Sequence, residues 1–203
     1  MREPHNIAEV AQLKPAYVGF IFVRDSKRWI GRDFDPVHLN LLEGESKACG
    51  VFASEYLPTL LDRVDYYHLD AVQLHGDETA EYCKKLRTRL PDIEIIKAFG
   101  IDPSFDFNSL VPYQESVDYF LFDAKGKERG GNGTTFDWQL LKKYTLSTPY
   151  FLSGGIGPDT VAALKAFAPE ASALAGVDLN SKFETAPAMK SVQQLSAFMS
   201  CLP

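Results

Sequence analysis

Residues Tyr119 to Phe122 form an apolar, aromatic run too short for a helix and suited to a strand buried on both faces. The run stops on a carboxylate, Asp123, and opens into a polar loop carrying Gly126, Gly130, Gly131 and Gly133 before Thr135-Phe136-Asp137-Trp138. A buried strand that ends on an acid and empties into a glycine-rich loop is how an α/β enzyme presents a catalytic group. Taken alone, a strand-end hydrogen bond is the commoner use of such an acid.

Other polar groups stand at the ends of other apolar runs. Ser26-Lys27-Arg28 follows Tyr17–Val23, Gln73-Leu74-His75-Gly76 follows Ala71, Ser153-Gly154-Gly155 follows Tyr150–Leu152, and Asp178-Leu179-Asn180-Ser181 follows Ser172–Val177. The last two have a shared physical use. Gly154-Gly155 before a helix, and Asn180-Ser181 after the final strand, can aim backbone N–H groups at one phosphate. A single Gly-Gly turn is weak evidence, whereas two donor loops after the last two strands of a series are much stronger.

The elements that must carry these groups alternate. Helices are expected over 3–13, 34–43, 55–65, from Asp77 as cap to Arg89, 136–144, 158–167 and 187–199, with a short polar or helical piece over 103–111. Strands are expected at 17–23, 48–53, 71–74, 93–98, 117–122, 150–152 and 172–177. Seven strands separated by helices imply a parallel sheet with helical crossovers, either doubly wound and open or a (β/α)8 barrel. In a barrel all five polar groups would gather at the C-terminal face. The order begins and ends on a helix, so a barrel in this phase is short of its first strand.

Composition narrows the function. The 203 residues are 45% hydrophobic and 24% charged, values of an ordinary globular chain, and a single domain over 1–203 is expected. A formal charge of −6 without a basic cluster argues against nucleic acid or an anionic membrane as partner. Three cysteines without a CxxC pair suit a reducing cytoplasm, and four scattered histidines give metal little support. No apolar run is long enough to span a bilayer or serve as a signal sequence.

Taken together, GFIFVRDSKRWI, VQLHGDE, LFDAKGKERGGNGTTFDW, LSGGIGPDTV and GVDLNSKFE, in that order, resemble phosphoribosylanthranilate isomerase of tryptophan biosynthesis. The resemblance implies a (β/α)8 TIM barrel with no metal and no cofactor. It implies an Amadori rearrangement of N-(5-phosphoribosyl)anthranilate to 1-(2-carboxyphenylamino)-1-deoxyribulose 5-phosphate. Asp123 then matches the general acid that protonates the ribose ring oxygen, and Arg28 the arginine that pairs with the anthranilate carboxylate, a task that suits a planar guanidinium. Gly154, Gly155, Asn180 and Ser181 match the phosphate site, with Gly131 and Gly133 in the adjacent loop. Asn180 stands where many relatives have serine. Gln73 and His75 match a pattern near the ring, for which structural hydrogen bonding at a strand end is an equal reading. Asp178 is expected to order the last loop, and Phe20 to pack in the core.

One family feature is not found here. The general base of the family is a cysteine at the end of the first strand, in a Lys-x-Cys-Gly motif just before a segment like Met1-Arg2-Glu3-Pro4. The expectation is therefore a barrel lacking its first β-strand, with two open edges, weakened stability and weak or absent turnover. Either that strand lies upstream of Met1 or the chain is a natural one that has lost the activity. Lys47-Ala48-Cys49-Gly50 mimics the motif, but its position in a later strand argues for a small buried hydrophobe. Cys83 and Cys201 are expected on helices. The rival readings are a non-catalytic phosphosugar-binding barrel and another phosphate-binding barrel enzyme such as indole-glycerol-phosphate synthase, for which Lys97 would be the lysine to watch. The partner is a phosphoribosyl small molecule, and the chain a monomer or homodimer.

Overall fold

A computed structural model describes residues 1–42, 44, 46–124 and 136–202. Seven parallel strands form one sheet in sequence order: β1 (Tyr17–Ile21), β2 (Lys47–Phe52), β3 (Ala71–Leu74), β4 (Glu94–Ile101), β5 (Tyr119–Ala124), β6 (Tyr150–Leu152) and β7 (Leu174–Val177). Strand neighbours in space are strand neighbours in sequence, the order that right-handed crossovers give when a parallel sheet curls. The sheet curls far enough that residues of β1 and of β7 line one cavity, yet β1 and β7 are not paired with each other. It is a curled, incompletely closed half-barrel.

Alternation along the strands sorts side chains into two layers. Facing inward are Cys49, Ala71, Ile96, Ala98 and Leu121, closed at the strand beginnings by Tyr17, Tyr119 and Phe151. Tyr17 and Lys47 both bind Glu94 there, at 2.6 and 2.7 Å, and seal that end. Facing outward, Phe20, Phe52, Leu74, Ile95, Phe120 and Phe122 pack against the surrounding helices. Phe20 is fully buried, as expected, and each such phenylalanine contributes about 1.5–3 kcal/mol of transfer free energy.

The covering helices are α1 (Pro4–Ala11), α2 (Leu57–Tyr67), α3 (Ala80–Arg89), α4 (Val161–Phe167) and α5 (Val192–Met199). The helices expected over 34–43, 103–111 and 136–144 are instead 3-10 turns at Pro36–Leu42, Phe107–Tyr113 and Trp138–Lys143. Pro112 removes a donor from the middle of the second. Helix α3 starts later than expected. Thr79, not Asp77, is its cap, accepting from the Tyr82 N–H at 3.2 Å. Strand β5 runs two residues further than expected and takes in Asp123.

The sequence also hid a hairpin, β8 (Glu184–Ala186) with β9 (Met189–Lys190), where a helix from Pro187 was expected. Asn6 on α1 anchors it. Its side-chain amide donates to the Lys190 carbonyl at 2.9 Å and its oxygen accepts from the Lys190 N–H at 2.7 Å. Among the described residues no helix is long and apolar enough to cross a membrane.

Candidate active site

The cavity enclosed by the curled sheet has a volume of about 470 Å³ and opens where the strands end. Arg28, Gln73, His75, Asp123, Gly154, Gly155, Asn180 and Ser181 all line it. Of the residues singled out from sequence, Gly131 and Gly133 lie outside the described residues.

Asp123 points inward because it shares the parity of Tyr119 and Leu121, the inner-face residues of β5. Its Oδ1 accepts from the Ala124 N–H at 2.8 Å, and its Oδ2 lies 3.4 Å from Nε2 of His75. The Gln73 amide nitrogen reaches Nδ1 of His75 at 2.8 Å. With the Gln73 amide in this orientation its N–H donates to Nδ1, which assigns the ring proton to Nε2, on the side of Asp123. Gln73 and His75 thus stand bonded side by side at the cavity, with the His75 ring 3.4 Å from the Asp123 carboxylate.

Gly154 closes the same corner from β6. Its φ of +84° lies in the left-handed region, and a Cβ there would sit 2.7 Å from both Asp123 Oδ1 and the Ala124 nitrogen. Only glycine fits so close an approach without displacing the acid. Gly155 follows at φ +66°, which turns the backbone toward the helical segment beginning at Pro158.

Arg28 comes from the turn after β1 and meets a partner the sequence reading missed. The Glu184 carboxylate accepts from Arg28 Nε at 2.9 Å and pairs with Nη2 at 2.7 Å, with the two side chains 17% and 5% exposed. Lys190 Nζ reaches Glu184 at 3.0 Å and Asn180 Oδ1 at 2.7 Å. One buried carboxylate on the hidden hairpin therefore ties the arginine after β1 to the asparagine after β7. Burial alone would raise the Glu184 carboxyl, but hydrogen bonds from Arg28 and Lys190 outweigh it and hold it below the ordinary range. Burial pulls the Lys190 ammonium down against the attraction of Glu184. Burial pushes the Asp178 carboxyl up, partly offset by the Ser153 hydroxyl that donates to it at 3.0 Å. Asp178 does tie the β6 and β7 exits together. Glu184 closes the GVDLNSKFE stretch and Lys190 falls within the last expected helix, and neither was singled out from sequence.

Three cysteines and a lysine are settled by position. Cys49 sits early in β2 and is 3% exposed, and burial pushes its thiol well above the usual range, so it is not a thiolate base at neutral pH. Cys83 is buried on α3, while Cys201 falls in the turn after α5 rather than on the helix. Lys97 has the opposite parity to the inward Ile96 and Ala98 and does not line the cavity. The lysine singled out for a synthase-type rival therefore faces away from the site, and Lys190 is a lysine that lines it.

The family model described as "PRAI: N-(5'phosphoribosyl)anthranilate (PRA) isomerase" matches residues 1–200. The N-(5'-phosphoribosyl)anthranilate isomerase of Parabacteroides distasonis is 40% identical over 202 residues, covering 98% of this chain and 89% of the relative. The solved phosphoribosyl anthranilate isomerase of Thermotoga maritima superposes with a TM-score of 0.84 at 30% identity, covering 99% of this chain and 94% of that one. A further isomerase structure, solved with reduced 1-(o-carboxyphenylamino)-1-deoxyribulose 5-phosphate, has a TM-score of 0.76 at 26% identity, covering 98% and 93%. The Asp123 carboxylate beside His75, an arginine fixed by Glu184 and the Gly154-Gly155 and Asn180-Ser181 loops around one cavity agree with that match: the chain belongs to the N-(5'-phosphoribosyl)anthranilate isomerase family.

Proposed function

We propose that this cavity carries out the family's isomerisation with Asp123 as general acid, on N-(5-phosphoribosyl)anthranilate. The chain is an isomerase of tryptophan biosynthesis, and the observation that carries the assignment of roles is the convergence of Asp123, Arg28 and both donor loops on one cavity. Asp123 gives its proton to the ribose ring oxygen as the C1–O bond breaks, and the anilino nitrogen lone pair forms the Schiff base. Removal of the C2 proton then returns electrons to nitrogen as an enolamine, which tautomerises to the 2-ketone. The Nε2–H of His75 faces the Asp123 carboxylate and steadies it once the proton has left. Arg28, fixed by Glu184, holds the substrate carboxylate, and N–H groups of the Gly154-Gly155 and Asn180-Ser181 loops, with Lys190 nearby, hold the phosphate.

The base in this reading enters with one more parallel strand, carrying the family's Lys-x-Cys-Gly, in the gap between β1 and β7. A largely apolar cavity between these two strands, which do not pair with each other, supports that place for it; Met1 and Ile30 donate to the β1 edge there, at the Gly19 and Ile21 carbonyls. A strand in that place would join β1 to β7 and complete a ring of eight. The free cysteines among the described residues, Cys49, Cys83 and Cys201, suit a reducing cytoplasm.

The test is turnover by this chain beside the same chain preceded by a Lys-x-Cys-Gly strand. The reading expects turnover in the extended form and at least about 10²-fold less without the base. Full turnover in the short form would overturn the role given to the added strand. Binding of the reduced product analogue without turnover in either form would favour a non-catalytic phosphosugar-binding barrel instead.

A further inference from the structure

On the helix side of the sheet, under the corner that holds His75, lies an ion pair that the chemistry above does not use. The Lys97 and Glu78 side chains are 2% and 1% exposed and 3.1 Å apart. Lys97 Nζ donates to the carbonyls of Leu74 at 3.2 Å, Gly76 at 2.9 Å and Ala98 at 3.0 Å. Leu74 and Gly76 are the residues on either side of His75. The Glu78 carboxylate accepts from the Gly76 N–H at 3.0 Å and from the Ser54 N–H at 2.6 Å. Gly76 is therefore held at its carbonyl by the lysine and at its amide by the glutamate. It also packs so tightly on the β2 exit that a Cβ would sit 2.3 Å from the Ser54 nitrogen.

Stability is a weak account of such a pair, because desolvating two charges offsets much of their attraction. What the pair does fix is geometry. Two lysine N–H bonds, to the Leu74 and Gly76 carbonyls, and one carboxylate bond, from the Gly76 N–H, fix the backbone on both sides of one histidine. The bonds to Ala98 and Ser54 tie that segment to β4 and to the β2 exit. The backbone so held presents Nδ1 to Gln73 and Nε2 to Asp123.

We propose that Lys97 and Glu78 are positioning residues, holding His75 as the Nε2–H tautomer against Asp123. Its catalytic consequence rests on the acid role given to Asp123, while its consequence for the histidine ring does not.

The experiment compares wild type, Lys97→Met and Lys97→Met/Glu78→Gln by nitrogen-15 NMR of the histidine rings at about pH 8, above the ordinary imidazole range. His75→Asn identifies the His75 signals. Wild type is expected to show the Nε2–H tautomer of His75. Both variants are expected to lose it to a mixture, although the double variant, with no unpaired buried charge, regains the stability that the single one loses. A purely structural pair predicts otherwise: the double variant regains stability and keeps the wild-type tautomer, which would overturn the proposal. If the single variant does not fold, the double one carries the test. In the form of the chain that turns over, kcat is expected to fall at least about tenfold with KM within about twofold, as for a misplaced group rather than a lost contact. A changed tautomer with unchanged kcat would uphold the positioning and overturn the part given to His75 in steadying Asp123.

Discussion

Gly154→Ala is a one-methyl perturbation whose effect on the acid can be worked from distances. The added Cβ would lie 2.7 Å from Asp123 Oδ1, 2.7 Å from the Ala124 nitrogen and 3.1 Å from the Ala124 Cβ, where ordinary contact begins at 3.4 Å. Two of the three neighbours are backbone or backbone-adjacent, so relief requires β5 and β6 to part at this corner or the carboxylate to turn, by about 0.7 Å in either case. A φ of +84° adds strain, about 1–2 kcal/mol for a residue with a Cβ. The expected stability loss is about 1–3 kcal/mol, measured by denaturant unfolding at constant m-value. Misplacement of a reacting group by about 1 Å costs on the order of 10²-fold, so kcat per folded molecule should fall about tenfold to hundredfold. Turnover is read alongside unfolding so that loss of folded protein is not counted as loss of chemistry. A Gly154→Ala variant with kcat within about twofold of wild type would refute the close approach of Gly154 to a working acid.

Other substitutions test other parts of the site. Arg28→Lys keeps a charge but cannot span both Glu184 oxygens and a ligand carboxylate, so KM should rise about tenfold or more with a smaller change in kcat, by steady-state kinetics. Asp178→Asn should stabilise the chain at neutral pH. Burial raises the folded-state value of Asp178, so the native state binds the extra proton and its stability falls as pH rises from the unfolded carboxyl range through the folded one. The gain from the substitution should therefore vanish on acidifying below the unfolded range, and a gain independent of pH would contradict this. Cys49→Ala should lose about 1 kcal/mol of stability and leave kcat within about threefold, because the buried thiol is protonated and packs in the inner layer.

Strands and site exits were legible for one physical reason. Strands of a parallel sheet covered on both faces read as short apolar runs, as in Tyr17–Ile21 and Tyr119–Phe122, and the polar residue that ends each run marks the functional edge. Parity along β5 then puts Asp123 on the face of Leu121 without further information. The same parity separates Lys97 from Ile96 and Ala98, but one strand does not reveal which face is the cavity. The hairpin of Glu184 and Lys190 was illegible because its strands are three and two residues long, and its turn places Ala188 at φ +68°, a conformation that an Ala-rich stretch does not advertise. The helix expected from Pro187 took in Lys190 and left Glu184 unassigned, so the carboxylate that meets Arg28 was not read. The 3-10 turns were overextended for a related reason: apolar spacing over seven residues fits one helical turn of either kind.

The central claim is that Asp123 supplies the proton that opens the ribose ring. Its most direct test is turnover of N-(5-phosphoribosyl)anthranilate by Asp123→Asn beside the parent, both carrying the added strand, with affinity for the reduced product analogue measured on the same samples. The account predicts that kcat falls about 10²- to 10⁴-fold while the analogue still binds, since Arg28 and the two donor loops are untouched. Retention of kcat within about tenfold, with the analogue bound as tightly as before, would contradict it.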